Sequence, residues 1–223
     1  MKKQGKLCLY YGISLVFMFM LWTALVLTVD VKPAGVNGTN VGFSGLNVWF
    51  HNKTGVNYFL YNVTDWLGLV PVLICLAFAF LGFIQIIKRK SLVKVDADII
   101  FLGIYYFVVI ALYLAFEMIP INYRPVLING HMEASYPSST TLLVLSVMPT
   151  LVFQVRNRLF NKYLKLFIVI ISALFSFFMV LGRLVSGVHW FTDIVGSCLL
   201  SFGLFYIYKA VVILWNLMKN FSN

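Results

Sequence analysis

Six apolar runs, near residues 8–29, 66–87, 99–117, 138–155, 165–182 and 191–213, set the limits on what this chain can fold into. Each approaches the roughly 20 residues a helix needs to cross about 30 Å of hydrocarbon. With 61% of residues hydrophobic and 11% charged, one soluble core could not hide this surface. The pattern predicts an all-α, polytopic membrane protein, with six transmembrane helices in one bundle and a single domain over 1–223. No internal repeat or low-complexity linker interrupts it. The fourth run opens with "SSTT" and is short for a crossing without those residues, so its first turn is expected to line an aqueous cavity. The first run follows a basic "MKKQGK", but it is too long for a signal-peptide core and no small-residue cleavage site follows, so it is read as an uncleaved span.

A net charge of +10 invites a nucleic-acid reading. A nucleic-acid binder, however, gathers its cations on a soluble face, whereas these sit in short gaps between apolar runs. They report topology instead. If the N-terminus is cytoplasmic, thirteen of the 17 Lys and Arg residues lie inside and four, Lys32, Lys53, Arg124 and Arg183, lie outside. The positive-inside rule therefore places both termini in the cytoplasm. Short loops and the absence of organelle signals suggest the plasma membrane of a bacterium.

The segment 30–66 is the one long stretch outside the spans. Trp49, Phe50, Tyr58, Phe59, Tyr61 and Trp66 suit either an interfacial aromatic belt or a substrate-gating lid. Asn37, Asn52 and Asn62 match a glycosylation triplet that arises often by chance. Cys8, Cys75 and Cys198 lack metal-ligand spacing, so neither a disulfide nor zinc is expected.

Ionisable residues concentrate in two outer segments. "GRLVSGVHWFTDIVG", residues 182–196, places Arg183, His189 and Asp193 between the fifth and sixth spans. Four residues apart at a helix start, His189 and Asp193 can share one face. A carboxylate bonded to one imidazole nitrogen fixes the tautomer and makes the other nitrogen a better nucleophile or base. An interfacial histidine beside an aspartate that complements the helix dipole accounts for the pair equally well. The outer loop between the third and fourth spans, "EMIPINYRPVLINGHMEASYPSSTT" from Glu117 to Thr141, adds Arg124 and a Pro-Ser-Ser turn opening the fourth span. Helix N-terminal amides, the hydroxyls of Ser138 and Ser139, and two guanidinium forks form an anion site suited to a tetrahedral phosphate.

In this order, Arg124-Pro125, Pro137-Ser138-Ser139 and "RLVSGVHWFTD" resemble the three-part signature of the type 2 phosphatidic acid phosphatase superfamily, which includes vanadium haloperoxidases. The resemblance covers residues 117–196 and extends to the six-helix layout of the membrane members. It implies a phosphohistidine mechanism in which His189 is the nucleophile and Asp193 orients it. Arg124 and Arg183 hold phosphate oxygens, and Ser138 with nearby amides completes the cradle. No cofactor or metal is implied. A site ringed by apolar helices favours a lipid phosphate or diphosphate, phosphatidate-type or polyprenyl, with the bilayer as the other partner and no nucleic acid.

Three positions depart from that signature. Glu117 stands where the pattern has a lysine, Thr140 where it has the histidine that protonates the leaving group, and Gly182 where a serine is usual. A threonine hydroxyl is a poor acid near neutral pH, so His131, Glu133, Glu117 and Thr140 are the possible proton donors. A diphosphate needs that proton less than a lipid alkoxide does. The departures also admit a non-enzymatic reading, a family member that binds or transports lipid phosphates.

Overall fold

The computed structural model describes residues 2–222, with side-chain surroundings through residue 219. Among these residues the chain is helical, with only isolated β-bridges beside the helices. Eight α-helices form: α1 (Lys2–Thr28), α2 (Ser44–Thr54), α3 (Tyr58–Leu67), α4 (Leu69–Arg89), α5 (Ala97–Met118), α6 (Ser139–Arg158), α7 (Lys162–Val185) and α8 (Phe191–Ser222). Six helical stretches are long and apolar enough to cross a membrane, one for each apolar run. The second is longer than its run. Gly68 keeps a helical conformation (φ −59°, ψ −17°), so α3 continues into α4 as 32 residues, Tyr58–Arg89. This corrects the expectation that 30–66 lies outside the spans: residues 58–66 belong to the spanning helix, and α3 packs on α7.

The least hydropathic span, α6, is the most deeply enclosed. Its apolar side chains, Leu142, Val144, Leu145, Val147 and Met148, are buried against α4, α5, α7 and α8. Several polar groups are buried with them, held by partners that water would otherwise supply, although the Ser146 hydroxyl has no hydrogen-bond partner. Tyr106 Oη lies 2.8 Å from Thr150 Oγ1, Tyr105 Oη donates to the Ser146 carbonyl at 3.0 Å, and Gln154 Nε2 donates to Tyr208 Oη at 2.8 Å. The weak hydropathy thus has a cause: α6 faces protein, and lipid sees little of it.

The strongest pairing is α1 along α8. A Cβ on Gly12 would come 2.9 Å from the Gly203 carbonyl oxygen, and one on Gly203 would come 3.0 Å from the Val16 amide nitrogen. Only a hydrogen atom fits at this crossing, as where small residues let membrane helices touch backbone to backbone.

Two further elements fix the end of the bundle where α6 and α8 begin. The loop between α5 and α6 folds back as a short ladder: Ser135 N–H donates to Asn122 O (2.9 Å), Arg124 N–H to Glu133 O (3.1 Å), and Ile128 and His131 exchange bonds of 3.1 and 2.9 Å. Asn129 and Gly130 both take positive φ, 50° and 80°, in the tight turn that Asn-Gly favours. From the other side, α2 clamps α8. Asn47, fully buried, accepts from the Thr192 amide at 3.2 Å and donates to Thr192 Oγ1 at 3.0 Å and to the Gly42 carbonyl at 2.7 Å. The segment 30–66 is therefore a structural part of this end, and it leaves Trp49, Phe59 and Trp66 exposed along its surface.

Candidate active site

The ladder sets Arg124 opposite Glu133, and α7 carries Arg183 to the same end of the bundle. Both guanidinium groups lie over one ring: the central carbon of Arg183 is 4.9 Å from the Tyr61 centroid and that of Arg124 is 5.8 Å. Like charges held this close to a shared aromatic face need anions nearby. Arg183, 1% exposed, receives Asp65 Oδ1 at 3.2 Å from its Nη2, which also donates to Thr140 Oγ1 at 2.7 Å. Arg124 Nε lies 3.1 Å from Glu133 Oε2, an ion pair outside hydrogen-bond geometry. Buried nitrogens remain without acceptors on both residues, Nε and Nη1 of Arg124 and Nε of Arg183.

A cavity of about 750 Å³ opens beside them. Arg124, Arg183, Glu117, Glu133, Ser139 and Thr140 line its polar end, and Leu69, Val72, Val109 and Leu143 carry it down between the helices. The first turn of α6 therefore faces a cavity. Ser138 does not. Its hydroxyl donates to Thr141 Oγ1 at 3.1 Å, its amide to the Asp193 carbonyl at 3.3 Å, and its carbonyl accepts from Ser197 at 2.9 Å, so it ties α6 to α8. Of the two serines expected to contact phosphate, Ser139 lines the cavity together with Thr140, and Ser138 is not among the lining residues.

His189 and Asp193 are both buried at the start of α8. Their side chains do not form the expected direct hydrogen bond: Nδ1 and Oδ2 are 3.7 Å apart. The helix begins at Phe191, so His189 lies on the preceding turn and helical four-residue geometry does not apply to the pair. Ser135 mediates instead. Its hydroxyl donates to Asp193 Oδ2 and lies 3.3 Å from His189 Nδ1, while its carbonyl is 3.2 Å from the same nitrogen. Asp193 Oδ2 also accepts from the Trp190 amide at 2.8 Å. A carbonyl only accepts, so Nδ1 carries the proton and Nε2 holds the free lone pair. Nε2 is buried and has no hydrogen-bond partner. Burial pushes the imidazole well below the ordinary histidine range, and the charges of Arg124 and Arg183 push the same way.

The four candidate proton donors separate by position. His131 is exposed at the Asn-Gly turn and is not among the cavity-lining residues. Thr140 accepts from Arg183, and Glu133 pairs with Arg124. Glu117 lines the cavity and, among the described residues, makes no ion pair. Gly182 also finds its reason: a Cβ there would come 2.6 Å from Thr64 Cγ2. A serine would push away α3, which carries Tyr61 and Asp65. Sequence reasoning missed Tyr61, Asp65 and Ser135 as parts of this site. Asp65, one of the seven acidic residues of the chain, was the readable signal, because a carboxylate entering an apolar span needs a cation.

The depressed His189 gives a titration test. The unfolded imidazole binds a proton near pH 6.5 and the folded one only at lower pH, so this group favours folding above pH 6.5 and loses that contribution as the pH falls. Imidazole nitrogen NMR, assigned by difference against His189→Ala, should show a neutral His189 at pH 6.5, with a midpoint that rises in Arg124→Gln. A His189 midpoint at or above 6.5 contradicts the geometry.

Comparison with known proteins places this arrangement. The sequence model of the PAP2 superfamily matches residues 104–217, a stretch that includes Arg124, Arg183, His189 and Asp193. The fold is similar to the crystal structure of the first transmembrane PAP2-type phosphatidylglycerolphosphate phosphatase from Bacillus subtilis, with a TM-score of 0.64 and 18% sequence identity over 91% of this chain and 96% of that one. No curated protein sequence matches. The family match spans just over half of the chain and contains both arginine segments and the histidine turn: the chain belongs to the PAP2 superfamily.

Proposed function

We propose that the protein is a membrane lipid phosphatase that removes phosphate from a lipid phosphate or diphosphate through a phosphohistidine on His189. One observation carries the reading: three elements hold buried nitrogens without acceptors, Arg124 Nη1, Arg183 Nε and His189 Nε2, at the same end of the bundle. Left unfilled, such groups cost free energy, and a tetrahedral phosphate would supply acceptors to the arginines and an electrophile to the imidazole. The apolar lower wall of the cavity suits a lipid tail. The similarity to a phosphatidylglycerolphosphate phosphatase also supports a lipid phosphate as substrate.

In this mechanism the phosphate displaces the Asp65 and Glu133 carboxylates from the two guanidiniums, which then hold its equatorial oxygens. First-turn amides of α6, unpaired within the helix, contribute further donors. The Nε2 lone pair attacks phosphorus as the bond to the leaving oxygen breaks. Ser135 and Asp193 stabilise the imidazolium character that develops on the ring. Glu117, the cavity carboxylate without a cation, donates a proton to a leaving alkoxide and then takes one from the water that hydrolyses the phosphohistidine. Phosphate and neutral imidazole result. A diphosphate substrate expels phosphate and needs that proton less.

The pairing of both arginines with carboxylates, with threonine in place of the acid histidine, favours a second reading: an attenuated relative that binds or transports lipid phosphates. Phosphate release by purified protein, without added metal, separates the two. The enzyme reading expects release from at least one lipid phosphate, abolition in His189→Ala, and a loss of up to ~10⁴ in Asp193→Asn, by analogy with the serine-protease triad. Thr140→His should raise turnover of a monophosphate more than that of a diphosphate. No release from any lipid phosphate by either the parent or Thr140→His, alone or with Glu117→Lys, leaves the binder.

We also propose that the site faces outward, in a bacterial plasma membrane. The asymmetry of Lys and Arg supports it. Cysteines introduced at Asn52 and Asn129 should react with an impermeant reagent from outside, and those at Lys90 and Asn161 only from the cytoplasm. Reversed labelling would place the substrate in the other leaflet.

A further inference from the structure

A second recess lies at the opposite end of the bundle, far from the histidine. Two cavities meet there. One, of about 370 Å³, runs between α6, α7 and α8 and is walled by Leu145, Met148, Val152, Ala173, Phe202 and Phe205. The other, of about 660 Å³, opens at the ends of α6 and α8 and holds Arg158, Asp96 and Trp215. Phe153, Arg156 and Lys209 line both, so the apolar groove empties past Arg156 and Lys209 into a polar vestibule.

The charges here are unevenly matched. Arg158 is neutralised, with Asp96 at 3.1 Å and Asp98 at 2.7 Å, and Asp96 also takes Arg89 at 2.7 Å. Arg156 and Lys209 make no ion pair among the described residues. Lys209 is half-buried, and its ammonium lies 5.9 Å from the centre of the Tyr206 ring. A lysine in an apolar span without a carboxylate calls for an anion. Within the groove, Ser176 Oγ is bonded to the Ser172 carbonyl at 2.8 Å, which leaves the wall apolar. From Arg156 back to Leu145 is eleven residues of α6, about 16 Å of helix. That is close to the depth of one leaflet, about half of the roughly 30 Å hydrocarbon thickness.

We propose that this recess binds an anionic phospholipid of the leaflet opposite the candidate active site, with its phosphate between Arg156 and Lys209 and one acyl chain along the α6–α7–α8 groove. A free phosphate would use the cations and leave the groove unexplained. A zwitterionic lipid would bring an ammonium group against two cations. The site is separate from the phosphatase reading and does not depend on it.

Native mass spectrometry of the full chain in detergent tests this with phosphatidylglycerol, phosphatidylcholine of the same acyl chains, and glycerol 3-phosphate. Phosphatidylglycerol should bind roughly tenfold or more tighter than phosphatidylcholine, as two cations near a headgroup allow. Arg156→Gln with Lys209→Gln should erase the preference. Ala173→Phe, which fills the groove without changing charge, should weaken phosphatidylglycerol in the same way, and His189→Ala should leave it intact. If the paired charge variant fails to fold, Arg156→Gln alone, at an exposed helix end, should still reduce the preference severalfold. Equal binding of the two lipids, a preference that survives both charge variants and the groove variant, or displacement by glycerol 3-phosphate at the lipid's own concentration would overturn the proposal.

Discussion

Two guanidinium groups buried against one tyrosine ring are the constraint around which this end of the molecule is organised. Charge inside an apolar bundle is costly unless each group is paired and hydrogen-bonded. The fold meets that demand from elements distant in sequence: Asp65 from α3, Glu133 from the ladder, Thr140 from the first turn of α6. Arg124 and Arg183 nonetheless keep nitrogens without acceptors. In the functional reading, the carboxylates hold the phosphate's place until the substrate replaces them, so affinity reflects a competition between two anions for the same cations.

The same constraint explains why Glu117 and Gly182 can stand where the family signature has a lysine and a serine. A third cation in this cavity would oppose Arg124 and Arg183, whereas the arginines are here balanced by carboxylates from two sides. Gly182 lets α3 approach α7 closely enough for the Tyr61 ring to meet both arginines, with a Cβ there excluded by Thr64. The departures therefore fit one another, and α3 is the element that links them.

The architecture was legible in the sequence because apolar runs of membrane-crossing length leave little choice of structure. All six spans formed where the runs lie, and even the weak fourth run carried information, since its low hydropathy reflects enclosure by protein. Arg124, Arg183, His189 and Asp193 were legible as a spaced signature. Tyr61 was not, because 30–66 has the mixed composition of a surface segment and α3 shows its role only when packed on α7; Asp65, a carboxylate entering an apolar span, was the one readable sign that this segment meets a cation. Ser135 escaped for another reason. The four-residue interval between His189 and Asp193 implies direct contact only on a continuous helix, and α8 begins two residues after the histidine. No sequence period reports the hydroxyl and carbonyl that bridge that gap.

The central claim is that His189 Nε2 carries the phosphoryl group during turnover. Rapid quenching of the enzyme with a lipid phosphate or diphosphate, followed by mass spectrometry under basic conditions, tests it most directly. The account predicts an acid-labile, base-stable phosphate on the peptide containing His189, formed and consumed at rates no slower than turnover. Steady phosphate release with no such adduct, or with the adduct on another residue, would contradict it.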